Sequence, residues 1–340
     1  MFFVMVTKRA FLEILRYNTC GNEPPPGSKE SGDNPEEGTV QISRVGSSKD
    51  VFYSDVKGME FNFSDRVSVF DRGPIPVTFT GLGAVRCSIA AILFEKLDAA
   101  DFRTHFRERL DEQRIAVTPF NIPELDVYYP QAFGRLLPLE FLFRFVATKK
   151  FCSRVEGGAV DRAAIECLLS LDEDLVPGMR FQHPFVECST KHQAADTYVS
   201  DEEAARLAGL TLGQLQDIYK VVARAAIYLK TLFRSVGFDL CDGKIEGALT
   251  EEGMFVIADS ISPDELRLTD SGGRSYDKDP VRRWYEECCA DWVKELGEAK
   301  AKAPYDKSGW PPYSAEPPPE VIQDLLWRYE AVRDALSIKK

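Results

Sequence analysis

Residues 237–270 read GFDLCDGKIEGALTEEGMFVIADSISPDELRLTD. The spacing predicts a β-hairpin that carries charge on one face. Asp242, Lys244 and Glu246 fall at i, i+2 and i+4, so a strand turns all three the same way. Glu251-Glu252-Gly253 supplies a turn, and Met254 to Ala258 is a second apolar run ending at Asp259. With Glu252-Gly253 as a two-residue turn, position 246 pairs directly with 259; a slip of two makes them diagonal neighbours on the same face. In either register two carboxylates face each other, and they repel unless one is protonated or a cation lies between them. A divalent metal with oxygen ligands meets that requirement, Mg²⁺ on phosphates being its usual form. A solvated hairpin face with a nearby lysine is the other reading, and the hairpin alone does not choose between them.

The rest of the chain narrows the choice. Its 340 residues are 44% hydrophobic and 28% charged, as in a soluble globular protein with a sizeable core. A net charge of −12 argues against a nucleic-acid backbone or an anionic membrane as the partner. It leaves room for anionic small ligands held by local Arg and Lys. The eight cysteines show no CxxC spacing and read as reduced thiols of a cytoplasmic protein. His105, His183 and His192 are the only histidines, and none of their spacings suits a zinc site. The apolar start MFFVMV is too short to span a membrane and lacks a signal-peptide pattern.

Residues 1–18 could form a short amphipathic helix, and residues 19–38 are rich in Pro, Gly, Ser and Glu, as a flexible connection is. From Thr39 to Phe63 two or more strands flank a turn at Gly46-Ser47-Ser48-Lys49. Free backbone N–H groups and the lysine would let that turn cover phosphates, although an ordinary hairpin turn has the same composition. Gly81-Leu82-Gly83 precedes a helical run, Ala84 to Leu97, where a glycine turn either binds an anion or only caps the helix. Glu140 and Arg144 share a face of an apolar run, as an ion pair or as ligand contacts. A short helix is expected over Val160 to Leu171, and Ser200 to Glu203 opens another as a capping box. A long helix over Leu212 to Val236 has the stripe Leu215, Ile218, Val222, Ala225, Leu229, Leu232 and Phe233, with Gly237 at its C′ position. One helix is expected from Val281 to about Leu296 and a last from Glu320 to Leu336, with structureless chain over 303–319 between them.

The order of these blocks resembles the SAICAR synthetase (phosphoribosylaminoimidazole-succinocarboxamide synthase) family. Gly46-Ser47-Ser48-Lys49-Asp50-Val51-Phe52 looks like its loop over ATP. Residues 64–71, SDRVSVFD, are similar to its Asp-Arg-(Ile/Val)-Ser block, and Pro138-Leu139-Glu140 with Arg144 to its Pro-Leu-Glu-x-x-x-Arg. Ser189-Thr190-Lys191 with Asp196 looks like its Ser-Thr-Lys block. Asp242-x-Lys244-x-Glu246, Asp259 and Ser262-Pro263-Asp264-x-x-Arg267 form the most specific set, and Asp277-Lys278 with Arg282 resembles a late segment.

The resemblance implies a two-lobed α+β fold with ATP in the cleft, in a cytoplasmic enzyme that phosphorylates a substrate carboxylate and lets the amine of aspartate attack the acyl phosphate. Expected boundaries are an extension over 1–38, an ATP-binding lobe over 39–137, a metal and substrate lobe over 138–300, and a C-terminal linker and helix over 301–340. The resemblance gives Glu246 and Asp259 to Mg²⁺. It gives Gly46, Ser47, Ser48, Lys49, Glu140 and Lys191 to the nucleotide, and Lys244, Asp242 and Lys49 to the reacting groups. Arg144, Lys149, Ser68, Asp71, Asp264 and Arg267 fall to a phosphorylated substrate. A homo-oligomer is compatible with it.

The chain departs from the family pattern in places. The loop lysine is Ser47, the Gly-Lys-Gly is Gly81-Leu82-Gly83, and the Gly-Ser after the arginine block is Lys149-Lys150. The Asp-Glu pair is Asp259-Ser260, the His-Asp pair is Ala195-Asp196, and the Trp after the last arginine block is Thr269. The metal pair and phosphate arginine persist while substrate-contacting positions vary. That pattern fits SAICAR synthetase itself, a paralogue of specialised nucleoside metabolism with another carboxylate or amine, or a non-catalytic nucleotide binder, which the retained metal pair disfavours.

Overall fold

The computed structural model describes residues 41–54, 58–123, 133–161, 165, 168, 174–191, 197–304 and 306–338. The expectations for residues 1–38, for most of the helix over 160–171 and for Ala195-Asp196 lie outside these residues. Two antiparallel sheets organise the described chain. The first has the order β1-β2-β3-β5-β4, from β1 (Gln41–Val45), β2 (Lys49–Ser54), β3 (Gly58–Phe63), β4 (Phe106–Arg109) and β5 (Arg114–Val117). Helix α1 (Leu82–Ala99) lies on it, burying Val85, Ile89, Leu93 and Leu97.

The second sheet has β6 (Arg135–Val146) at its centre, β7 (Arg180–Thr190) and β8 (Tyr198–Val199) on one side, and β9 (Asp239–Leu249) and β10 (Phe255–Ala258) on the other. Strand β11 (Leu266–Thr269) also pairs with β9. The expected lobe boundary at 137/138 falls inside β6, so the second sheet begins slightly earlier than the motif order suggested. The described residues form one compact unit containing both sheets.

Alternation along the strands of the second sheet separates two faces. Leu139, Phe141, Phe143 and Ile245 are buried. They face helix α4 (Leu212–Ser235), whose buried residues Leu215, Ile218, Val222, Ala225, Leu229 and Phe233 repeat at helical spacing. Thr211 opens α4 with a reciprocal capping box to Gln214, and Gly237 leaves it at φ 92°, a conformation that glycine adopts without strain. On the same packed face, a Cβ at Gly247 would run into the ring of Phe255, and one at Gly243 into Phe143 and Leu266. The glycines alternating with Asp242, Lys244 and Glu246 therefore let neighbouring strands close over the core, and the charged residues turn to the other face.

Three further helices differ in detail from expectation. Helix α3 (Asp201–Ala208) is capped by Ser200, which accepts from the Glu203 N–H, while the Glu203 carboxylate pairs with Arg206 instead of completing a box. The run after Pro280 is two helices, α5 (Asp279–Cys288) and α6 (Ala290–Lys302), broken at Cys289. Helix α7 (Pro319–Ser337) matches its expected span. The Pro/Trp/Tyr-rich stretch before it is fixed by packing: Trp310 is buried, and Tyr313 stacks on Trp292 with ring centroids 5.0 Å apart. No helix among the described residues is long and apolar enough to cross a membrane.

Candidate active site

The polar face of the second sheet assembles the site from register alone. Glu140 on β6 pairs with Glu246 on β9 and with Ser189 on β7. Two residues along, Leu142 pairs with Lys244 and Glu187; two more, Arg144 pairs with Asp242, which in turn pairs with Arg267 on β11. Directly opposed residues point the same way, so these charges share one surface although they come from separate motifs.

The hairpin register differs from expectation by one residue. The turn is centred on Glu251-Glu252, with the Gly253 N–H donating to Thr250 O, and Ala258 rather than Asp259 pairs with Glu246. Asp259 still reaches the same face because its backbone leaves the strand at φ 67°, a left-handed conformation uncommon for a non-glycine residue. His105, which sequence reasoning weighed only as a zinc ligand, helps to hold that turn. Its Nε2 donates to the Asp259 carbonyl at 2.8 Å, and its ring packs edge-on against Phe61 and Phe94. Burial lowers its pKa to about 4, so it is neutral there.

Around Asp259 the lysines converge. Lys49, entering from β2 of the first sheet, pairs with Asp259 at 2.7 Å and donates to Ser260 Oγ at 3.1 Å. Lys191 pairs with Glu246 and stands 3.5 Å from Asp259, so its ammonium lies between the two carboxylates. Lys244 pairs with Glu140, whose other oxygen accepts from Ser189 at 3.3 Å. Burial and the neighbouring ammonium groups of Lys49 and Lys244 lower the pKa of Lys191 to about 8, against the opposing pull of Asp259. Burial would raise the Asp259 pKa, but Lys191 and Lys49 outweigh it and hold the carboxyl well below the usual range.

This part of the site fits Mg²⁺. Glu246 and Asp259 are hard oxygen donors that already share one cation, and the ion commonly binds through one or two carboxylates plus substrate phosphates, keeping several waters. Among the described residues no group of three or more His, Cys, Asp or Glu side chains could hold a metal, so phosphates or water would complete the coordination.

A second cluster lies further along the same face. Arg144 bonds Glu187 at 2.9 Å and Tyr198 at 2.8 Å, and Arg154 also grips Glu187 while its guanidinium stacks 3.4 Å from the Tyr198 ring centroid. Arg267, its side chain 43% exposed, reaches Asp242 at 2.8 Å and Asp277 at 3.4 Å, and Arg282 stands 3.6 Å from Asp277. Glu140 and Arg144 thus take different partners rather than each other. Burial raises the Asp242 pKa, partly offset by Arg267 and Arg144.

Several expected site residues are placed otherwise. The Gly46 N–H is not free for a phosphate: it donates to Lys49 O and to Asp50, while Arg66 clamps the Gly46 carbonyl and the Asp50 carboxylate. Ser47 is exposed, and the Ser48 carbonyl accepts from the Ser64 N–H. Asp264 turns inward, 2.7 Å from buried Arg86, 3.1 Å from Lys278 and 2.9 Å from the Tyr329 hydroxyl, an arrangement that stabilises the loop and leaves little for a substrate. Asp71 is exposed and pairs with Lys300 at 3.1 Å, Ser68 bridges to Pro74 in its own loop, and Lys149 is exposed at the first residue of α2 (Lys149–Glu156). The Gly81-Leu82-Gly83 turn is a cap: the Asp65 carboxylate accepts from the N–H groups of Gly81 and Gly83 at 3.1 and 2.7 Å.

Comparison with known proteins identifies the family. The SAICAR synthetase family model matches residues 43–299, about three quarters of the chain. The chain belongs to the SAICAR synthetase family. Its members are ligases, and this chain is an enzyme of that class. It is 27% identical over 259 residues to the phosphoribosylaminoimidazole-succinocarboxamide synthase of Thermoplasma volcanium, covering 76% of this chain and 85% of that one. The Streptococcus pyogenes serotype M3 enzyme of the same name is 29% identical over 248 residues, with coverage of 72% and 92%. Among solved structures, a SAICAR synthetase in complex with ADP aligns with a TM-score of 0.56 at 25% identity, over 72% of this chain and 90% of its own. The SAICAR synthase of Saccharomyces cerevisiae complexed with SAICAR shares the fold at a TM-score of 0.66 and 18% identity, over 91% and 98%. The α+β architecture is that of the family.

Proposed function

We propose that this SAICAR synthetase family member joins a carboxylate to an amine at the expense of ATP and Mg²⁺, through an acyl phosphate. The observation that carries the reading is the convergence of Lys49, Lys191 and Lys244 with Glu140, Glu246 and Asp259 on one face. Phosphoryl transfer needs positioning and charge neutralisation more than an acid–base residue, and three ammonium groups beside a carboxylate pair provide both. The ADP complex of a similar protein supports the nucleotide assignment.

Glu246 and Asp259 would hold Mg²⁺, which neutralises charge on the nucleotide phosphates. Lys49, Lys191 and Lys244 would hold phosphate oxygens. A substrate carboxylate oxygen takes the γ-phosphoryl group and ADP leaves. The amine nitrogen then bonds to the carbonyl carbon, the bond from that carbon to the phosphorylated oxygen breaks, and inorganic phosphate departs with that oxygen as the nitrogen loses a proton. Arg267 and Arg144 would orient a phosphorylated substrate, with Asp242 and Glu187 holding the guanidinium planes. Carboxyaminoimidazole ribotide and aspartate are the substrates that the family suggests.

One feature favours a second reading, in which the ATP chemistry is kept and the second substrate differs. Ser260 and Lys149-Lys150 replace the family's Glu and Gly-Ser beside the two clusters. Incubation with ATP, Mg²⁺, the ribotide and aspartate distinguishes the two. Aspartate-dependent ADP release with amide product supports the first, and nucleotide binding without that turnover supports the second.

A further inference from the structure

The family's glutamate after the metal aspartate is Ser260 here. A serine carries no carboxylate, yet a carboxylate reaches the same spot from five residues on. Ser260 Oγ donates to Glu265 Oε1 at 3.2 Å and accepts from Lys49 Nζ at 3.1 Å. A hydroxyl has one proton and two lone pairs, so these bonds run in one direction, from the Lys49 ammonium through the Ser260 hydroxyl to the Glu265 carboxylate. The other Glu265 oxygen accepts from the Ser262 N–H at 2.9 Å and its hydroxyl at 2.8 Å, and the Glu265 carbonyl accepts from the Lys244 N–H at 3.0 Å. The residue is therefore tied to the strand carrying Lys244 and fixed at its far oxygen.

We infer that Glu265 is a positioning residue of the nucleotide site, which holds the Lys49 ammonium beside Asp259 through the Ser260 hydroxyl and stands in for the acid missing at position 260. The inference rests on reading the lysine–carboxylate cluster as that site. Lys49 contacts Asp259 and Ser260 together, and with either anchor loosened its four-carbon stem is free to swing. The alternative is that Glu265 only closes the 260–267 loop by capping Ser262.

The test is the acylation of Lys49 by limiting acetic anhydride in the full-length protein, read by mass spectrometry against exposed Lys220 as internal reference, with and without ATP and Mg²⁺. Glu265→Gln and Ser260→Ala should each raise Lys49 labelling about fivefold, the factor expected from losing one hydrogen bond. The double variant should rise no further than either single. Ser260→Glu combined with Glu265→Gln should return labelling to the wild-type level, a rescue that a loop cap cannot produce. Ser262→Ala, which leaves the Ser262 N–H on Glu265, should raise labelling by less than Glu265→Gln while lowering Tm. Wild-type labelling in folded Glu265→Gln, or no rescue by Ser260→Glu, overturns the inference. The underlying reading is tested separately by ATP protection: if ATP with Mg²⁺ fails to shield wild-type Lys49, the nucleotide assignment is wrong even where the relay holds.

Discussion

Lys49 and Asp259 stand 2.7 Å apart, the lysine at the start of β2 in the first sheet and the aspartate just past β10 in the second. The ion pair ties the two sheets together at the site and places the ammonium beside one of the two carboxylates assigned to Mg²⁺. Lys49→Met keeps the stem and removes the charge. It should lower kcat by about 10²–10³, as expected for a group that stabilises developing charge, while the circular dichroism spectrum stays native. An unchanged kcat would remove Lys49 from the phosphate chemistry.

Glu246→Gln and Asp259→Asn keep shape and remove one charge each from the face that Lys191 bridges. Each should reduce turnover to about 1% or less, and the residual activity should need more Mg²⁺ to saturate. Steady-state rates across a Mg²⁺ titration check this. Near-normal rates in both variants would rule out the metal assignment.

Arg267 is the more exposed arginine of the second cluster and is held in place by Asp242 and Asp277. Arg267→Ala should raise KM for a phosphorylated substrate by about 10–100-fold, the loss expected for hydrogen bonds between charged groups, with KM for ATP nearly constant. An unchanged KM would mean that the substrate phosphate binds elsewhere or is absent.

Asp264 joins three elements: Arg86 on α1, Lys278 before α5 and Tyr329 on α7. Tyr329 lies beyond the span matched by the family model, so the C-terminal helix braces a motif loop. Tyr329→Phe should cost about 1–2 kcal/mol by urea unfolding. Arg86→Met, which strands a buried carboxylate, should cost about 3–5 kcal/mol. Equal costs would mean that the carboxylate is not buried as described.

His105 gives a pH signature. Folded, it stays neutral down to about pH 4, whereas its ordinary value is 6.5. Between those values the unfolded chain binds more protons, so stability falls as pH drops from about 6.5 to 4, by up to about 3 kcal/mol from this group. Thermal melts across that range should show the slope, and His105→Gln should flatten it. An identical slope in the variant would assign the effect to other groups.

Period-2 alternation in residues 242–246 was enough to put Asp242, Lys244 and Glu246 on one face, and helical periodicity was enough for α4 and α7. Turn geometry was not legible to one residue: Glu252-Gly253 suited a tight hairpin, but the chain turns at Glu251-Glu252, and Asp259 recovers the shared face through its left-handed backbone. Partner choice was less legible still. Nothing local to Asp264 shows that Arg86, Lys278 and Tyr329 consume it, and nothing near Gly46 shows that Arg66 closes its loop. Those pairings join residues distant in the chain, whereas spacing reports only on neighbours. Asp65 lies sixteen residues ahead of the glycine turn that it caps, and only the fold brings the two together.

The fate of one oxygen tests the acyl phosphate most directly. With ¹⁸O in the carboxylate of carboxyaminoimidazole ribotide, and with ATP, Mg²⁺ and aspartate, the phosphate released by this chain should carry one ¹⁸O for each amide formed. Phosphate released with amide formation but free of the label would contradict the acyl-phosphate route and the role given to Lys49, Lys191, Lys244, Glu246 and Asp259.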